Sequence, residues 1–221
     1  GCVIVKNNKI ISRGWTSKFG SNHAEKNALK SIDKDIKDLT MYVTMEPCHH
    51  HGKTPPCTDL INPNQFIRVV IAEKDPFVTA GGGAEFLKKL NIEVEVGLCK
   101  DEARKLNEKF YVFHEKKRPY VILKYASSLD GYIALKNGQS KWITNDNSRS
   151  SNHETRSECD AILVGRKTVQ LDDPSLTSHG KGKDPLVVII DNKQKIDKKS
   201  QIFNKNQKVI IYLQEAVNIE D

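Results

Sequence analysis

One short motif constrains this 221-residue chain more than any other. His23-Ala24-Glu25 is followed 22 residues later by Pro47-Cys48 and, after eight further residues, by Cys57. One imidazole and two thiolates suit a tetrahedral zinc ion, which leaves the fourth position for water. Glu25 lies two residues from His23, so it can reach that water without being a ligand. The spacing predicts a catalytic zinc site with His23, Cys48 and Cys57 as ligands and Glu25 as the proton shuttle.

A structural zinc ion is the alternative, because His49, His50 or His51 can supply a fourth ligand. Structural sites normally use four protein ligands, however, and no fourth residue has comparable spacing. Only the catalytic interpretation gives Glu25 a role, in moving a proton to a ring nitrogen and to departing ammonia. The whole motif resembles the signature of the zinc nucleobase deaminases, in which the metal makes hydroxide available near neutral pH.

The charge of the chain admits a nucleic acid or a phosphorylated small molecule as partner. The net charge is +7 and the isoelectric point is near 9.0. The lysines are scattered, only 7% of residues are aromatic, and no basic stripe is interleaved with aromatic residues. Solvated faces therefore explain the charge better than a nucleic-acid surface does.

No apolar run approaches the length of a membrane span, and no signal peptide is present. The chain opens directly in an apolar run at Cys2, so we expect a natural start to have been lost. Cys2, Cys99 and Cys159 lie in or beside apolar runs, which predicts reduced core thiols rather than disulfide partners. A cytoplasmic location follows from that cysteine usage.

Strands alternate with helices along the first half, which predicts an α/β fold. Asn7-Asn8 is a hairpin turn, and His23 and Glu25 open a helix that runs to about Ile32. Strands are predicted over Leu39–Thr44, Ile67–Ala72 and Ile92–Val96, and helices over Glu85–Leu90 and Asp101–Val112, with Cys57 opening another.

The chain changes character near residue 119, where a second α/β unit is predicted to start. Its first strand is Tyr120–Tyr125, and a helix capped by Thr144 or Asn145 runs to about Glu158. Further strands are predicted over Ala161–Val164, Leu186–Ile190 and Lys208–Leu213, separated by loops and turns.

The run from Glu46 to Cys57, Glu-Pro-Cys-His-His-His-Gly-Lys-Thr-Pro-Pro-Cys, is longer and more specific than the general deaminase signature. It resembles the bifunctional deaminase–reductase family of riboflavin biosynthesis. The second half is similar to the same family in Leu123–Gly131, Ser140–Thr144, Asp160–Gly165, Thr168-Val169 and Asp172–Thr177. Two independent sets of motifs thus agree in order over nearly the whole chain.

The resemblance implies two domains. Residues 1–114 are expected to form a cytidine-deaminase-like three-layer domain whose first helix is missing, and residues 119–221 an incomplete dihydrofolate-reductase-like α/β domain, truncated at its C-terminal end. The first domain would use Zn2+ to deaminate 2,5-diamino-6-(5-phosphoribosylamino)pyrimidin-4-one. The second would use NADPH to reduce the ribosyl chain of 5-amino-6-(5-phosphoribosylamino)uracil. A small phosphorylated substrate, no nucleic acid or membrane partner, and a possible homo-oligomer follow from the same resemblance.

The resemblance also assigns roles to individual residues. In the first domain Lys53 and Asp75 match substrate-binding positions; from residue type alone they would be a solvated lysine and a turn former. In the second domain the cofactor-lining positions are Ala126, Trp142, Thr168 and Asp172, and the substrate positions are Ser140, Arg156 and Leu176. Lys124 is a cation in an apolar run, which predicts contact with a substrate oxygen or phosphate, or an exposed edge position.

Four positions depart from the family pattern. Thr16 stands where a histidine is usual, Phe77 where an asparagine is common, and Asn192 where serine or threonine is frequent. His179 replaces an arginine, and a histidine lacks both the permanent charge and the two-pronged donor geometry that hold a phosphate.

Two other functions compete with the biosynthetic enzyme. A tRNA-type base deaminase shares the His-Ala-Glu chemistry and would explain the basic charge, but it leaves the segment from residue 119 onward without a role. A non-catalytic zinc protein leaves Glu25 without a role. Only the deaminase–reductase explains both sets of motifs.

Overall fold

Two consecutive asparagines turn the chain at the start of the first sheet. The computed structural model describes residues 1–18, 20–77, 79–203 and 207–213. In it, β1 (Cys2–Lys6) and β2 (Lys9–Gly14) pair as an antiparallel hairpin. Asn7 and Asn8 have φ angles of 47° and 59°, a backbone conformation that asparagine tolerates better than most residues do. The predicted hairpin is confirmed.

The first sheet has five strands in the order β2-β1-β3-β4-β5. Its other members are β3 (Leu39–Val43), β4 (Phe66–Ile71) and β5 (Glu93–Val96). β1 is antiparallel to β3, whereas β3, β4 and β5 run parallel to one another. The carboxyl ends of β3 and β4 therefore lie at the same edge of the sheet. The predicted strands are confirmed to within one or two residues.

Helices cover this sheet on both faces. On one face, α1 (Ala24–Leu29) and α2 (Gly83–Lys89) bury Ala28 and Leu87 against Met41. The opposite face carries Val3, Tyr42 and Val70, which line an apolar groove of about 470 Å³ together with residues of α3 (Lys100–Leu106). The unit is thus a three-layer α/β structure.

Two predicted helices differ from those observed. α1 ends at Leu29 rather than Ile32. The single helix predicted over Asp101–Val112 is two, because α3 ends before Asn107 and α4 (Glu108–Lys116) begins after it. Asn107 has a φ of −122°, outside the helical region, and asparagine is a weak helix former whose side chain competes for backbone hydrogen bonds.

The chain divides into two compact units, Gly1–Ile122 and Leu123–Asp221. In the second unit α5 (Asp146–Ser157) begins where predicted, with Asn145 Oδ1 accepting a hydrogen bond from the Ser148 N–H at 2.9 Å. β6 (Ala161–Gly165), β7 (Leu186–Ile190) and β8 (Val209–Tyr212) form a parallel sheet in that order. Its core contains Val169, Leu176, Val187, Ile189 and Ile202.

Two features of the second unit differ from the sequence-based expectation. The strand predicted over Tyr120–Tyr125 is not formed, because no described strand pairs with this segment and a strand exists only through its hydrogen-bonded neighbour. Leu123 is 82% exposed there. In addition, α6 (Arg166–Asp172) forms where loops and turns were expected.

The described residues contain no helix that is both long and apolar enough to cross a membrane. All five cysteines are free, and Cys2 is buried as predicted. The prediction that Cys99 is a core thiol is wrong, since its side chain is exposed. An apolar neighbourhood in the sequence did not place it inside, because Cys99 lies in the turn before α3.

Gly14→Ala is expected to destabilise the first unit by about 1–3 kcal/mol, because a side chain forced into a packed contact strains its surroundings. A Cβ at Gly14 would lie 2.1 Å from the carbonyl oxygen of Ala24. Urea unfolding followed by circular dichroism measures the loss. Gly165→Ala is the control, since a Cβ there meets nothing within 4 Å. Equal stability of the two variants would contradict the prediction.

Candidate metal centre and active site

The first turn of α1 presents His23 and Glu25. β2 approaches this turn closely because residue 14 is a glycine, whose missing Cβ leaves room for Ala24. His23 precedes the helix with extended backbone, and its side chain does not cap the helix. Its ring is turned instead toward two cysteines, with Nδ1 at 3.5 Å from Cys48 Sγ and 3.3 Å from Cys57 Sγ.

The two cysteines come from the segment that follows β3. Cys48 lies five residues beyond the end of β3, and Cys57 opens a short 3₁₀ helix over Cys57–Leu60. The Cys57 N–H donates to Cys48 Sγ at 3.3 Å, and the Thr58 N–H donates to the Cys48 carbonyl at the same distance. Both side chains are buried. The backbone thus holds the two sulfur atoms side by side.

The ligand atoms of His23, Cys48 and Cys57 all lie within 4.8 Å of one another. Among the residues that the structure describes, this is the only group of three or more metal-ligating side chains so placed. The donor set of one nitrogen and two sulfurs, buried and convergent, fits zinc. His49 does not join the group: its Nδ1 is 3.0 Å from Thr58 Oγ1 and its ring stacks on Phe86.

The pKa values of the two cysteines favour binding of a cation at this cluster. Hydrogen bonding by the Cys57 thiol, followed by that of His23, lowers the pKa of Cys48 to about 4. The same Cys48–Cys57 hydrogen bond, with burial, raises the pKa of Cys57. The two pKa values therefore move apart, because the hydrogen bond favours one negative charge on the pair and a second adjacent charge would be repelled. A bound divalent cation would remove the second proton.

Glu25 is placed beside this cluster but is not one of the three ligands. Its side chain is 7% exposed, and burial raises the pKa of Glu25. The Glu25 charge is also among the causes, after the Cys48 hydrogen bond and burial, that raise the pKa of Cys57. A nearby cation would oppose the effect of burial, since an opposite charge favours the ionised carboxylate. A carboxylate that gains and loses a proton at this position suits general acid–base chemistry.

Asp75 follows β4 at the same edge of the sheet. Its side chain is half-buried, and its Oδ1 accepts a hydrogen bond from the Phe77 N–H at 2.8 Å. Burial raises the pKa of Asp75, and the charges of Glu46 and Cys48 act in the same direction. Asp75 is therefore close enough to Cys48 for the two negative charges to interact.

Lys53 lies in the segment between the two cysteines and is exposed. Its aliphatic carbons run alongside Gly20, where a Cβ would lie 3.3 Å from Lys53 Cδ. The loop that leads into α1 and the loop between the cysteines thus meet at this lysine. Of the two departures from the family pattern in this unit, Thr16 is exposed, and Phe77 packs its ring at 5.1 Å from that of His114.

In the second unit the structure brings Arg156 and Leu176 together. Arg156, on α5, donates from Nη1 to the carbonyl of Thr177 at 2.7 Å, and Leu176 is buried one residue earlier. Burial lowers the pKa of Arg156, and its Nε is buried without a hydrogen-bond partner. His179 follows on the same loop, and its ring packs on that of His153 with centroids 4.1 Å apart.

The other predicted positions of this unit are spread out. Trp142 is 72% exposed, not a core residue, and the guanidinium of Arg149 lies 4.4 Å from its ring centroid. Ala126 and Ser140 are half-buried, whereas Lys124, Thr168 and Asp172 are exposed, the last two on α6. No side-chain hydrogen bond or ion pair within the described ranges links any two of these six residues.

Both halves of the chain match known proteins. Residues 1–73 match the cytidine and deoxycytidylate deaminase zinc-binding region, and residues 119–220 match the RibD C-terminal domain. The riboflavin biosynthesis protein RibD of Aquifex aeolicus is 42% identical over 221 residues, which are 99% of this chain and 62% of that protein. This chain belongs to the RibD family.

Other RibD relatives give the same result. RibD of Actinobacillus pleuropneumoniae is 44% identical over 194 residues, or 87% of this chain and 52% of the relative. A crystal structure from Thermotoga maritima, described as a diaminohydroxyphosphoribosylaminopyrimidine deaminase/5-amino-6-(5-phosphoribosylamino)uracil reductase, superposes with a TM-score of 0.86. It is 44% identical and covers 98% of this chain, which spans 63% of it.

Membership in the RibD family confirms the predicted resemblance and the fold class, a cytidine-deaminase-like region followed by a dihydrofolate-reductase-like domain. The tRNA-type deaminase is not favoured, because the segment after residue 119 matches the RibD C-terminal domain rather than an unrelated one. The chain spans less than two thirds of the length of the relatives that it matches.

Removal of metal is expected to lower the melting temperature of the first unit, because an ion that binds only the folded chain adds its binding free energy to stability. Cys57→Ser is expected to abolish stoichiometric zinc binding, measured by atomic absorption after dialysis. Cys99→Ser is the control, because Cys99 is exposed and lies outside the cluster. Full zinc occupancy in Cys57→Ser would contradict the assignment of the ligands.

The second unit is expected to lose stability as the pH falls below about 6.5, the ordinary value for histidine. Burial, and then the charge of His179, lowers the pKa of His153. The folded state therefore binds fewer protons than the unfolded state, and stability falls as the pH drops toward the folded-state pKa. His153→Gln should flatten this dependence in urea unfolding between pH 5 and pH 8. An unchanged slope would contradict the prediction.

Proposed function

We propose that this chain carries the deaminase of riboflavin biosynthesis in residues 1–114 and its reductase domain from residue 119. The observation that carries the proposal is the convergence of His23, Cys48 and Cys57, with Glu25 buried beside them. A structural zinc site would use a fourth protein ligand, and the described residues bring none to this cluster.

The proposed substrate of the first domain is 2,5-diamino-6-(5-phosphoribosylamino)pyrimidin-4-one, which loses its 2-amino group as ammonia. Zinc held by His23, Cys48 and Cys57 would supply a hydroxide near neutral pH. Glu25 accepts a proton from the attacking water and passes it to the pyrimidine ring nitrogen. It then accepts a second proton from the newly added hydroxyl group and gives it to the departing amine, as the carbonyl forms and the carbon–nitrogen bond breaks. Burial of Glu25 keeps bulk water from taking part in these transfers.

Asp75 and Lys53 are proposed to hold the substrate at opposite ends. Asp75 lies at the edge of the sheet nearest the cysteines, where a carboxylate can accept hydrogen bonds from amino groups of the pyrimidine. Lys53 is exposed between the two cysteines, and its charge suits the phosphate of the ribosyl chain.

The proposed reaction of the second domain is reduction of the ribosyl chain of 5-amino-6-(5-phosphoribosylamino)uracil to the ribitylamino product. Hydride comes from NADPH, so the protein contributes binding and orientation. Ala126, Trp142, Thr168 and Asp172 are proposed to line the cofactor. Lys124, Ser140, Arg156 and Leu176 are proposed to hold the substrate.

Arg156 supports an anion site in this domain. Its guanidinium is partly desolvated, its Nε has no hydrogen-bond partner, and only a backbone carbonyl accepts from its Nη1. The charge of Asp184 offsets part of the cost of burying this cation, and a phosphate oxygen would complete its hydrogen bonds. His179 lies two residues after Thr177, so the proposed phosphate site has one permanent cation, Arg156, with a histidine nearby.

A cytoplasmic location, a small-molecule substrate rather than a nucleic acid, and assembly as a homo-oligomer complete the proposal. The first two follow from riboflavin biosynthesis itself, whose intermediates are small soluble molecules. The last rests on family resemblance alone.

Glu25→Gln is expected to reduce ammonia release by at least about 10²-fold, because the general acid–base group is lost. Zinc content should not change, since Glu25 is not a ligand. The assay uses the zinc-loaded full-length protein with the diaminopyrimidinone substrate, and it follows NADPH oxidation in the same cuvette. Glu85→Gln is the matched control, because Glu85 is an exposed glutamate on α2.

The outcomes separate the two halves of the proposal. Ammonia release followed by NADPH oxidation supports both activities. Ammonia release without NADPH oxidation leaves only the deaminase. A zinc-loaded protein that releases no ammonia contradicts the proposed function.

A further inference from the structure

Glu46 is a buried carboxylate between β3 and the metal-binding segment. Its side chain is 6% exposed, and it lies two residues before Cys48. Oε1 accepts a hydrogen bond from the Ala84 N–H at 2.8 Å, and Oε2 accepts one from the Asp75 N–H at 3.2 Å. One carboxylate therefore joins three parts of the first unit: the metal-binding segment, the loop after β4, and the first turn of α2.

The environment of Glu46 is costly for a negative charge. No lysine, arginine or histidine in the described part of the chain forms an ion pair with it. Its negative charge also repels that of Asp75. Burial is the main cause that raises the pKa of Asp75, and the charge of Glu46 raises it further. A buried charge without a cationic partner destabilises a fold unless hydrogen bonds compensate for it. Stability alone does not favour a carboxylate at this position.

Packing around Glu46 leaves little freedom for the parts that it joins. A Cβ at Gly83 would lie 2.0 Å from the Pro47 carbonyl oxygen, so the start of α2 touches the metal-binding segment directly. The Glu46 N–H also donates to the Glu73 carbonyl at 2.9 Å, which ties the ends of β3 and β4 together. A shift of the Glu46 carboxylate would therefore move the Asp75 backbone relative to Cys48.

We infer that Glu46 is a positioning residue of the deaminase: it holds the Asp75 backbone, and through it the Asp75 carboxylate, in fixed register with Cys48. The inference rests on the proposed deaminase function and on the proposed contact of Asp75 with substrate. Displacement of a positioning group by about 1 Å can cost on the order of 10²-fold in rate, which sets the scale of the effect.

Glu46→Gln tests this role because glutamine keeps the size of the side chain but has one acceptor oxygen. Its NH₂ group would face the N–H of either Asp75 or Ala84, so one of the two bonds is lost. We expect kcat/KM for ammonia release by the full-length protein to fall by about 10-fold or more, mainly through KM, with zinc content unchanged.

A double-mutant cycle with Asp75→Ala separates positioning from general structural support. If Glu46 acts through Asp75, Glu46→Gln should change kcat/KM by less than about twofold once Asp75 is already alanine. Glu46→Asp is the second variant, in case the glutamine protein does not fold. It keeps both acceptor oxygens but is one methylene shorter, so an intermediate loss is expected.

Glu73→Gln is the matched control. Glu73 is also a buried carboxylate after β4, but its oxygens accept from Arg104 and from the Lys74 N–H and pair with Lys100, rather than bonding the backbone of Asp75. Its loss should lower the melting temperature and leave KM unchanged. Additive losses in the cycle, or an equal rise of KM in Glu73→Gln, would overturn the inference. A zinc-loaded wild type that releases no ammonia would instead overturn the proposed function, and this inference with it.

Discussion

Two buried thiols beside one imidazole link metal binding to the stability of the first unit. The hydrogen bond between the two sulfurs, together with burial, raises the pKa of Cys57 while that of Cys48 is lowered, so ionisation of both thiols is unfavourable without a cation. Their ligand partner His23 comes from a different part of the chain, before α1. An ion bound at this point would connect the start of α1, the segment after β3 and the 3₁₀ helix at Cys57. The free energy of metal binding therefore adds directly to the stability of this part of the fold.

The sheet topology explains why the candidate substrate residues lie near that cluster. β3 and β4 are parallel, and Val43 pairs with Ile71 at their ends. Cys48 follows the first of these residues by five positions, and Asp75 follows the second by four, so both leave the sheet at the same edge. Ligand sites of α/β sheets generally form beyond the carboxyl ends of parallel strands. Here the two loops are also fastened to each other, because the Glu46 carboxylate bonds the Asp75 backbone.

The sequence predicted the elements whose signals are local. The Asn7-Asn8 turn and the Asn145 cap depend on residues within four positions of each other, and both were correct. The convergence of His23, Cys48 and Cys57 was also predictable, since zinc chemistry limits which residue types and spacings can form a site. The strand expected over Tyr120–Tyr125 failed because apolar, β-branched residues make a strand only when a neighbouring strand pairs with them. Glu46 was not singled out, because its partners Asp75 and Ala84 are 29 and 38 residues away.

The two candidate sites differ in how their residues are held in place. In the first unit, backbone contacts fix the site residues: Gly14 against Ala24, Gly83 against Pro47, and the Cys57 N–H on Cys48. In the second unit the positions assigned by resemblance run from Lys124 to Leu176, and the Arg156 contact with Thr177 ties α5 to the loop that carries Leu176. That contact leaves the buried Nε of Arg156 without a hydrogen-bond partner. Burial lowers the pKa of Arg156, and the charge of Asp184 acts in the opposite direction, so an anion already offsets part of the cost of burying this guanidinium.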